Sequence, residues 1–486
     1  MKTMQMNDLP TNWQLKTLDS FGFFIRGVSY KKEQLLKEKT LNSVFLLRAN
    51  NIQEKLDLAD LQIVPKELAE GKIIQDDDIL FAMSSGSKHI VGKNIILQNL
   101  QDYSFGAFCG LFRITNKALN PCYLAYFLQS DFYKKYIIKF AKGTNINNLK
   151  FGDLEKLPIP IPPLEIQRRI VKRLDEAFSR IESGTKHLKS AKDNLTKYKQ
   201  SLLKSAFNGT LTQDCSLSLG ESTTKQSINT HPLAPSAREG EQEDCHISKV
   251  PSLCGGDLGV GSTRNDDKDS LNGESANLPQ GWIIKTLGEV LSSDKHSMKR
   301  GPFGSSLKKE FFVDSGIRVF EQYNPINQDS DWKRYFITQE KFKELESFKA
   351  GAGDLLISCS GTLGKILELP QNVEMGIINQ ALLKIRLDNT QILNSYFVHL
   401  FNSPNMQRII LENTIGSAIQ NIASVKVLKQ IKIPIPPLEI QKQIVAILER
   451  HFTSADKVSV YIDSCLSKAK QLKSSLLKSA FAGELT

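Results

Sequence analysis

The 486-residue sequence predicts two α/β (α+β) domains, each followed by a long helix, the whole a pseudo-two-fold tandem duplication. Three observations carry this. The nonapeptide Ile159-Pro-Ile-Pro-Pro-Leu-Glu-Ile-Gln167 returns unchanged at Ile433 to Gln441, 274 positions on. Laid without gaps, residues 157–212 match 431–486 at 25 of 56 positions, closing on Ser201-Leu-Leu-Lys-Ser-Ala-Phe207 and Ser475-Leu-Leu-Lys-Ser-Ala-Phe481. Upstream, Leu9-Pro-Thr-Asn-Trp13 is echoed by Leu278-Pro-Gln-Gly-Trp282, and Tyr123–Ser130 by Tyr396–Ser403. A repeat of half the chain lies far above the roughly 20 to 50 residues of solenoid units.

In chain order the expected parts are a first head (1–157), a connector and first long helix (158–212), a linker (213–277), a second head (278–431), and a connector and second helix (432–486). The heads read as short strands such as Val44–Leu47 and Asp78–Phe81, separated by Gly/Ser/Asn turns. Apolar residues at helical spacing predict one amphipathic helix over Tyr123–Phe140, before a loop at 143–148. Prolines 158, 160, 162 and 163 remove backbone donors on alternate residues, which excludes a central strand and suggests an extended connector. Pro163 and Glu165 suit a helix start, and Gly209 and Gly483 suit the two stops.

Within each helix, apolar and small residues alternate steps of four and three: Ile170, Leu174, Ala177, Ile181, Gly184, Leu188, Ala191, Leu195, Tyr198, Leu202 and Ser205. The second copy offers Ile444, Leu448, His451, Ala455, Val458, Ile462, Cys465, Ala469, Leu472, Leu476 and Ser479. This is a coiled-coil seam, and two copies in one chain supply the two strands of an antiparallel pair, each about 65 Å long at 1.5 Å per residue.

The net charge is +11, yet residues 213–277 hold five Lys/Arg against eleven Asp/Glu, so the remainder carries 11 + 6 = +17. That segment is Ser/Gly/Asp/Asn-rich without periodicity and reads as a flexible acidic linker. The basic remainder points toward nucleic acid. No run approaches the ~18 apolar residues of a membrane span, the first residues lack a signal-peptide core, and the seven scattered cysteines form no paired C-x-x-C. A cytoplasmic protein is expected.

Catalytic motifs are missing. There is no G-x-x-x-x-G-K-[ST] for nucleotide hydrolysis. Asn324-Pro-Ile-Asn327 falls short of the Asn/Asp-Pro-Pro-aromatic motif of adenine methyltransferases, and Glu70-Gly-Lys72 lacks the upstream acids of a nuclease. The seven histidines make no constellation, and no metal site is expected. The heads do offer basic and polar loops that mix phosphate-type donors with side chains able to read base edges. The first head has Arg26, Tyr30, Lys31, Lys32, Arg48, Asn50, Asn51, Ser84, Ser85, Ser87, Lys88 and His89. The second has Lys299, Arg300, Ser305, Ser306, Lys308, Lys309, Trp332, Lys333, Arg334, Ser358, Ser360, Thr362 and Lys365. Corresponding loops that differ on duplicated heads suit two different targets.

The doubled Pro-Pro-Leu-Glu-Ile-Gln-x-x-Ile-Val run before a long helix, the Leu-Pro-x-x-Trp openings, and Asp354-Leu-Leu-Ile-Ser-Cys-Ser-Gly361 resemble the DNA specificity subunits of type I restriction-modification systems. The resemblance covers nearly everything except the linker. It implies that each head is a target-recognition domain and that the helices space the heads and dock two methyltransferase subunits. It implies further that the chain is not itself an enzyme and binds no cofactor, and that S-adenosylmethionine, ATP and Mg belong to partner subunits, two motor/nuclease subunits among them. The expected target is a bipartite double-stranded DNA site with unlike half-sites and an unread gap set by helix length. The alternatives are a coiled-coil scaffold binding only proteins, and the recognition portion of a single-polypeptide restriction-methylation enzyme. The long acidic linker departs from the tight junction that a simple symmetric arrangement calls for.

Overall fold

The computed structural model describes residues 9–85, 90–140, 147–211, 278–412 and 422–485. The expected linker 213–277, most of the expected loop 143–148, and Ser87, Lys88 and His89 lie outside the described residues. The chain divides into two compact units, Met1–Asp193 with Val458–Thr486, and Asn194–Lys457. Each unit thus takes in one head, the start of the helix that follows it and the end of the other helix, so it reaches beyond the head boundary drawn from the sequence.

In the first unit, strands β1 (Gln14–Thr17), β2 (Gly22–Arg26), β3 (Ser43–Leu47), β4 (Gln62–Pro65), β5 (Ile79–Ala82), β6 (Ser84–Ser85), β7 (Asn94–Ile96), β8 (Tyr103–Phe105) and β9 (Cys109–Ile114) precede helices α1 (Pro121–Phe127) and α2 (Asp131–Phe140). They are followed by β10 (Asn147–Asn148), α3 (Phe151–Glu155), β11 (Pro158–Ile161) and α4 (Leu164–Phe207). A four-stranded sheet runs β2-β9-β5-β7 and a three-stranded one β4-β3-β8, in which β3 and β8 are parallel. The expected single helix over 123–140 is two helices. Ser130 breaks it, its hydroxyl accepting from Tyr133 N at the start of α2 (3.3 Å), as an N-cap does.

The second head has the same topology. Its elements are β12 (Ile283–Thr286), β13 (Met298–Arg300), β14 (Ile317–Phe320), α5 (Tyr323–Asn327), β15 (Tyr335–Ile337), α6 (Gln339–Glu344), β16 (Lys349–Ala350), β17 (Leu355–Ser358), β18 (Ile366–Glu368), β19 (Gly376–Ile378), β20 (Leu382–Ile385), α7 (Asn394–Phe401), α8 (Pro404–Glu412), α9 (Val425–Lys429), β21 (Lys432–Ile435) and α10 (Leu438–Phe481). Sheets β13-β20-β17-β18 and β15-β14-β19-β16 reproduce those of the first head, with β16 as an added edge.

The proline connectors are strands rather than free extended chain. β11 pairs antiparallel with β1, and β21 with β12. Alternation explains how prolines permit this. Leu157 O accepts from Leu18 N across the pair, while Pro160 O points away and accepts from the Tyr123 hydroxyl (2.7 Å). Pro158 and Pro160 lie opposite Thr17 and Leu15 at the alternate positions where an N–H would face away from β1, so its absence costs the ladder nothing. In the second copy Tyr396 reaches Pro434 O (3.0 Å) in the same way.

The nonapeptide's last residue is a latch. Gln167, fully buried, accepts from Asn120 N (2.8 Å) and donates to the carbonyls of Ala118 and Pro162 (2.9 Å each). Gln441 repeats this with Leu393 N, Gln391 O and Pro436 O. The other end of the repeat closes each unit: Phe481 meets Tyr123 and Phe127 edge-on in the first, and Phe207 meets Tyr396 in the second. Gly483 and Gly209 stop the helices at φ +82° and +80° and lie against Pro10 and Pro279. The Leu-Pro-x-x-Trp openings thus pack on helix ends.

Within each unit the helix segments run antiparallel. Glu182–Lys473 (3.0 Å) and Lys192–Asp463 (2.6 Å) link them in the first unit, and Lys199–Asp456 in the second. Ile170, Leu174, Ile444, Leu448 and Ile462 are buried, while Ile181, Leu188, Leu195, Leu202 and Leu476 are half-buried. The seam needs correction elsewhere. Val458 (48% exposed) and Leu472 (50%) face outward, as do Gly184, Ala191 and Tyr198, while Thr185, Lys192, Lys199, Ser459 and Lys473, each one position later, are half-buried in their place. An α-helix of 3.6 residues per turn drifts about 20° per heptad from a strict 3.5 repeat, so long heptad registers rotate off the contact. Among the described residues no helix is long and apolar enough to cross a membrane.

Candidate nucleic-acid interface

Three of the loops singled out in the sequence leave each head from one place. In the first head they follow β2, β3 and β5, and the turn between β8 and β9 ties their roots together. Val28 N donates to Phe105 O (2.7 Å), Gly106 N to Leu47 O (2.9 Å), and Met83 N and Ser84 N to Phe108 O (2.9 and 3.2 Å). In the second head Gly301 N reaches Leu382 O, Asn379 N reaches Phe320 O, and Cys359 N reaches Ala381 O. The backbones approach so closely that a Cβ on Gly27 would lie 2.0 Å from Gly106 O, and one on Gly301 1.9 Å from Asn379 O. Only glycine fits there.

The first loop carries Tyr30, its hydroxyl bonded to the Gln62 side chain, and the exposed Lys31 and Lys32; Arg26 stands exposed at the end of β2, opposite Gly110. Its counterpart after β13 carries Ser305 in a short 3-10 turn, the exposed Ser306 and Lys309, and Lys308 within 3.5 Å of Glu310. Lys299 is turned inward, donating to Ser347 Oγ (2.7 Å) with its ammonium 4.4 Å from the Phe348 ring centre. Arg300 lies over Phe303.

The second loop is stapled by a buried asparagine in both heads. Asn51 accepts from Arg48 N (2.8 Å) and donates to the carbonyls of Asp57 and Asp60. Asn324 accepts from Glu321 N (2.9 Å) and donates to Asp329 O and Trp332 O (2.8 and 3.0 Å). This corrects the expectation for Asn51, whose amide is consumed by its own loop. It also gives Asn324 of Asn324-Pro-Ile-Asn327, a stretch that falls short of the methyltransferase motif, its role as the staple of its own loop. Arg48 is likewise committed, to the Asp60 carboxylate (2.6 Å) and carbonyl (3.0 Å), and Lys333 to Glu374 (2.6 Å). Asn50 is exposed. Trp332 stacks on the exposed Tyr323 at 4.3 Å, and Arg334 lies exposed over Tyr335.

The third loop connects β5 to β7, and β17 to β18. Ser84 and Ser85 pair with Asn148 and Asn147. In the second head Ser358 is fully buried, its hydroxyl accepting from Lys365 N (3.0 Å), so it shapes the hairpin and is removed from the candidate readers. Ser360 is half-buried, and Thr362 and Lys365 are exposed.

Sequence reasoning missed the hub, the turns at 106–108 and 379–381. They hold no charge or motif, and only the short apolar runs on either side signal a turn. It also missed the ion pair beneath each hub sheet. Asp78 takes the Arg113 guanidinium through both oxygens (2.9 and 2.7 Å) and the Gln75 N–H (2.8 Å). Asp354 takes Arg386 (2.7 and 2.9 Å) and the Gly351 N–H (2.9 Å). Both carboxylates are buried. Such forks are strong and directional, and they fix β5 against β9 and β17 against β20. Among the described residues no group of side chains is placed to hold a metal ion.

The description of the type I restriction modification DNA specificity domain matches this chain twice, over residues 10–191 and 279–457. The StySPI specificity subunit of Salmonella potsdam is 28% identical, over 99% of this chain and 91% of its own. The EcoKI specificity subunit of Escherichia coli K12 is also 28% identical with the same coverage. A solved chain from work on complex assembly and conformational transition of the type I R-M system superposes with a TM-score of 0.66 at 18% identity, covering 98% of this chain and 99% of that one. Two matches on one chain, one per head, fit the duplicated scaffold with its diverged loops, and the chain belongs to the type I restriction-modification DNA specificity family, as a non-catalytic subunit that recognises DNA sequence.

Proposed function

We propose that this subunit reads an asymmetric bipartite site in double-stranded DNA, one head to each half-site. The observation that carries the reading is one loop framework, with the same glycines, asparagine staple and buried ion pair, presenting two different sets of side chains. Around the first hub stand Arg26, Lys31 and Lys32; around the second, Lys309, Arg334 and Lys365 with the Tyr323–Trp332 stack. The cations suit phosphates, and the unlike side chains suit unlike bases. The 44-residue helices set the unread gap between half-sites and dock two methyltransferase subunits. Val460 and Tyr461, 70% and 68% exposed on α10, support the docking role. Two motor/nuclease subunits complete the assembly, S-adenosylmethionine, ATP and Mg are bound by the partners, and the complex works in the cytoplasm.

Mapping methylated positions in DNA from cells carrying the complete system tests this. The expected pattern is one two-part sequence with unlike halves and a constant gap; a one-part or palindromic pattern overturns the reading. Retention on a duplex bearing that site should fall steeply with salt, whereas a scaffold that binds only proteins shows no sequence-dependent retention.

A further inference from the structure

The hub of the first head ends in a side chain that the fold does not use. Phe108 is 69% exposed at the tip of the turn beside the exposed Ala107, although Phe105 at the end of β8 and Cys109 at the start of β9 are buried. Its backbone is fixed by the two bonds to its carbonyl from Met83 and Ser84, so the ring is held in solvent by a rigid base. Arg26 lies across from Gly110, two residues along the strand, and the loop bearing Lys31 and Lys32 starts from Val28, which bridges to Gly106. An exposed phenyl ring thus shares its base with the strand end bearing Arg26 and the loop bearing Lys31 and Lys32, cations suited to phosphates. At the equivalent turn the second head exposes Gln380, followed by the small Ala381 in the position of Phe108.

We propose that this turn is a specificity-determining contact of each head and that its chemistry differs between them. Phe108 takes the methyl group of a thymine in the first half-site, an apolar feature that the major groove offers at thymine among the four bases. Gln380 takes a hydrogen-bonding base edge in the second, the N6/N7 edge of adenine being its geometric match. The proposal rests on the DNA reading above and adds the residues and base features involved.

The test uses the assembled complex with its methyltransferase subunits and a duplex bearing the mapped site, each thymine of the first half-site being replaced in turn by deoxyuridine. For the unaltered protein, one such replacement should weaken binding about fivefold, the effect of losing the burial of one methyl-sized apolar group. Phe108→Ala should bind the normal duplex about fivefold more weakly and be indifferent to that replacement, while Phe108→Leu retains part of the discrimination. Gln380→Ala should alter preference in the second half-site alone. Phe108→Ala binding like the unaltered protein, or losing further affinity at every deoxyuridine, overturns the proposal. So does a lowered melting temperature in Phe108→Ala, which assigns the ring to the fold. A complex that selects no bipartite sequence at all sinks the underlying DNA reading as well, and is distinguished by the unaltered protein failing first.

Discussion

Asn51 and Asn324 hold two loops of unrelated sequence in the same way, each accepting from the N–H three residues earlier and donating to two carbonyls farther along its loop. The side-chain amide reinforces the turn's own backbone bonds, Asn51 N to Arg48 O and Asn324 N to Glu321 O (3.0 Å each), so the rest of the loop is released to vary. Asn324→Ala strands buried polar groups, each costing roughly 1–3 kcal/mol. We expect a loss of about 2 kcal/mol in urea unfolding of the second head and blurred preference at the second half-site only. Asn51→Ala should do the same for the first. Blurring of both half-sites by either variant would contradict independent loops.

The buried ion pairs give the largest expected stability effects in the heads. Asp354→Ala leaves Arg386 without its main partner and should cost about 3 kcal/mol, in line with breaking other buried pairs. Asp78→Ala should match it through Arg113. Calorimetry of each variant checks this, and a change below about 1 kcal/mol would show that solvent replaces the carboxylate.

Helix ends close the units through aromatic packing. Phe481 is 2% exposed against Tyr123 and Phe127, so Phe481→Ala should cost about 3 kcal/mol. It should also raise hydrogen exchange in Val458–Leu485 and in α1 together. Exchange confined to the helix end would show that the contact is not shared.

The seam correction is directly testable. Ile462→Asp buries a charge at a 4% exposed position and should cost several kcal/mol, whereas Leu472→Asp, half exposed, should stay within about 0.5 kcal/mol. Equal effects in thermal melts would restore the strict heptad register.

His399 makes the second unit sensitive to acid. Burial beside Phe452 holds its pKa below the ordinary 6.5, against the raising pull of Glu449. With the folded value below the unfolded one, its contribution is intact above pH 6.5 and is lost as pH falls toward the folded value. The first unit has Tyr126 bonded to Asp175 at this place. His399→Tyr should therefore flatten the fall in stability as pH drops below 6.5; an unchanged slope assigns the acid sensitivity elsewhere.

What the sequence by itself determined is what is local or repeated. The duplication, the two helix stops at Gly209 and Gly483, and the family were legible because glycine's backbone freedom, apolar periodicity and a nine-residue identity need no knowledge of contacts. Tertiary structure decided the rest. Pairing partners turned the proline connectors into one-sided strands, and Gln167 is a latch only because Ala118, Asn120 and Pro162 converge on it. Asn51 and Ser358 resemble base readers in sequence yet spend their hydrogen bonds on their own loops. Phe108, unremarked among apolar residues, stands exposed where three loops meet. Which of two chemically equal side chains is buried depends on backbone groups far away in sequence, and that information is carried by the packed sheets of each head.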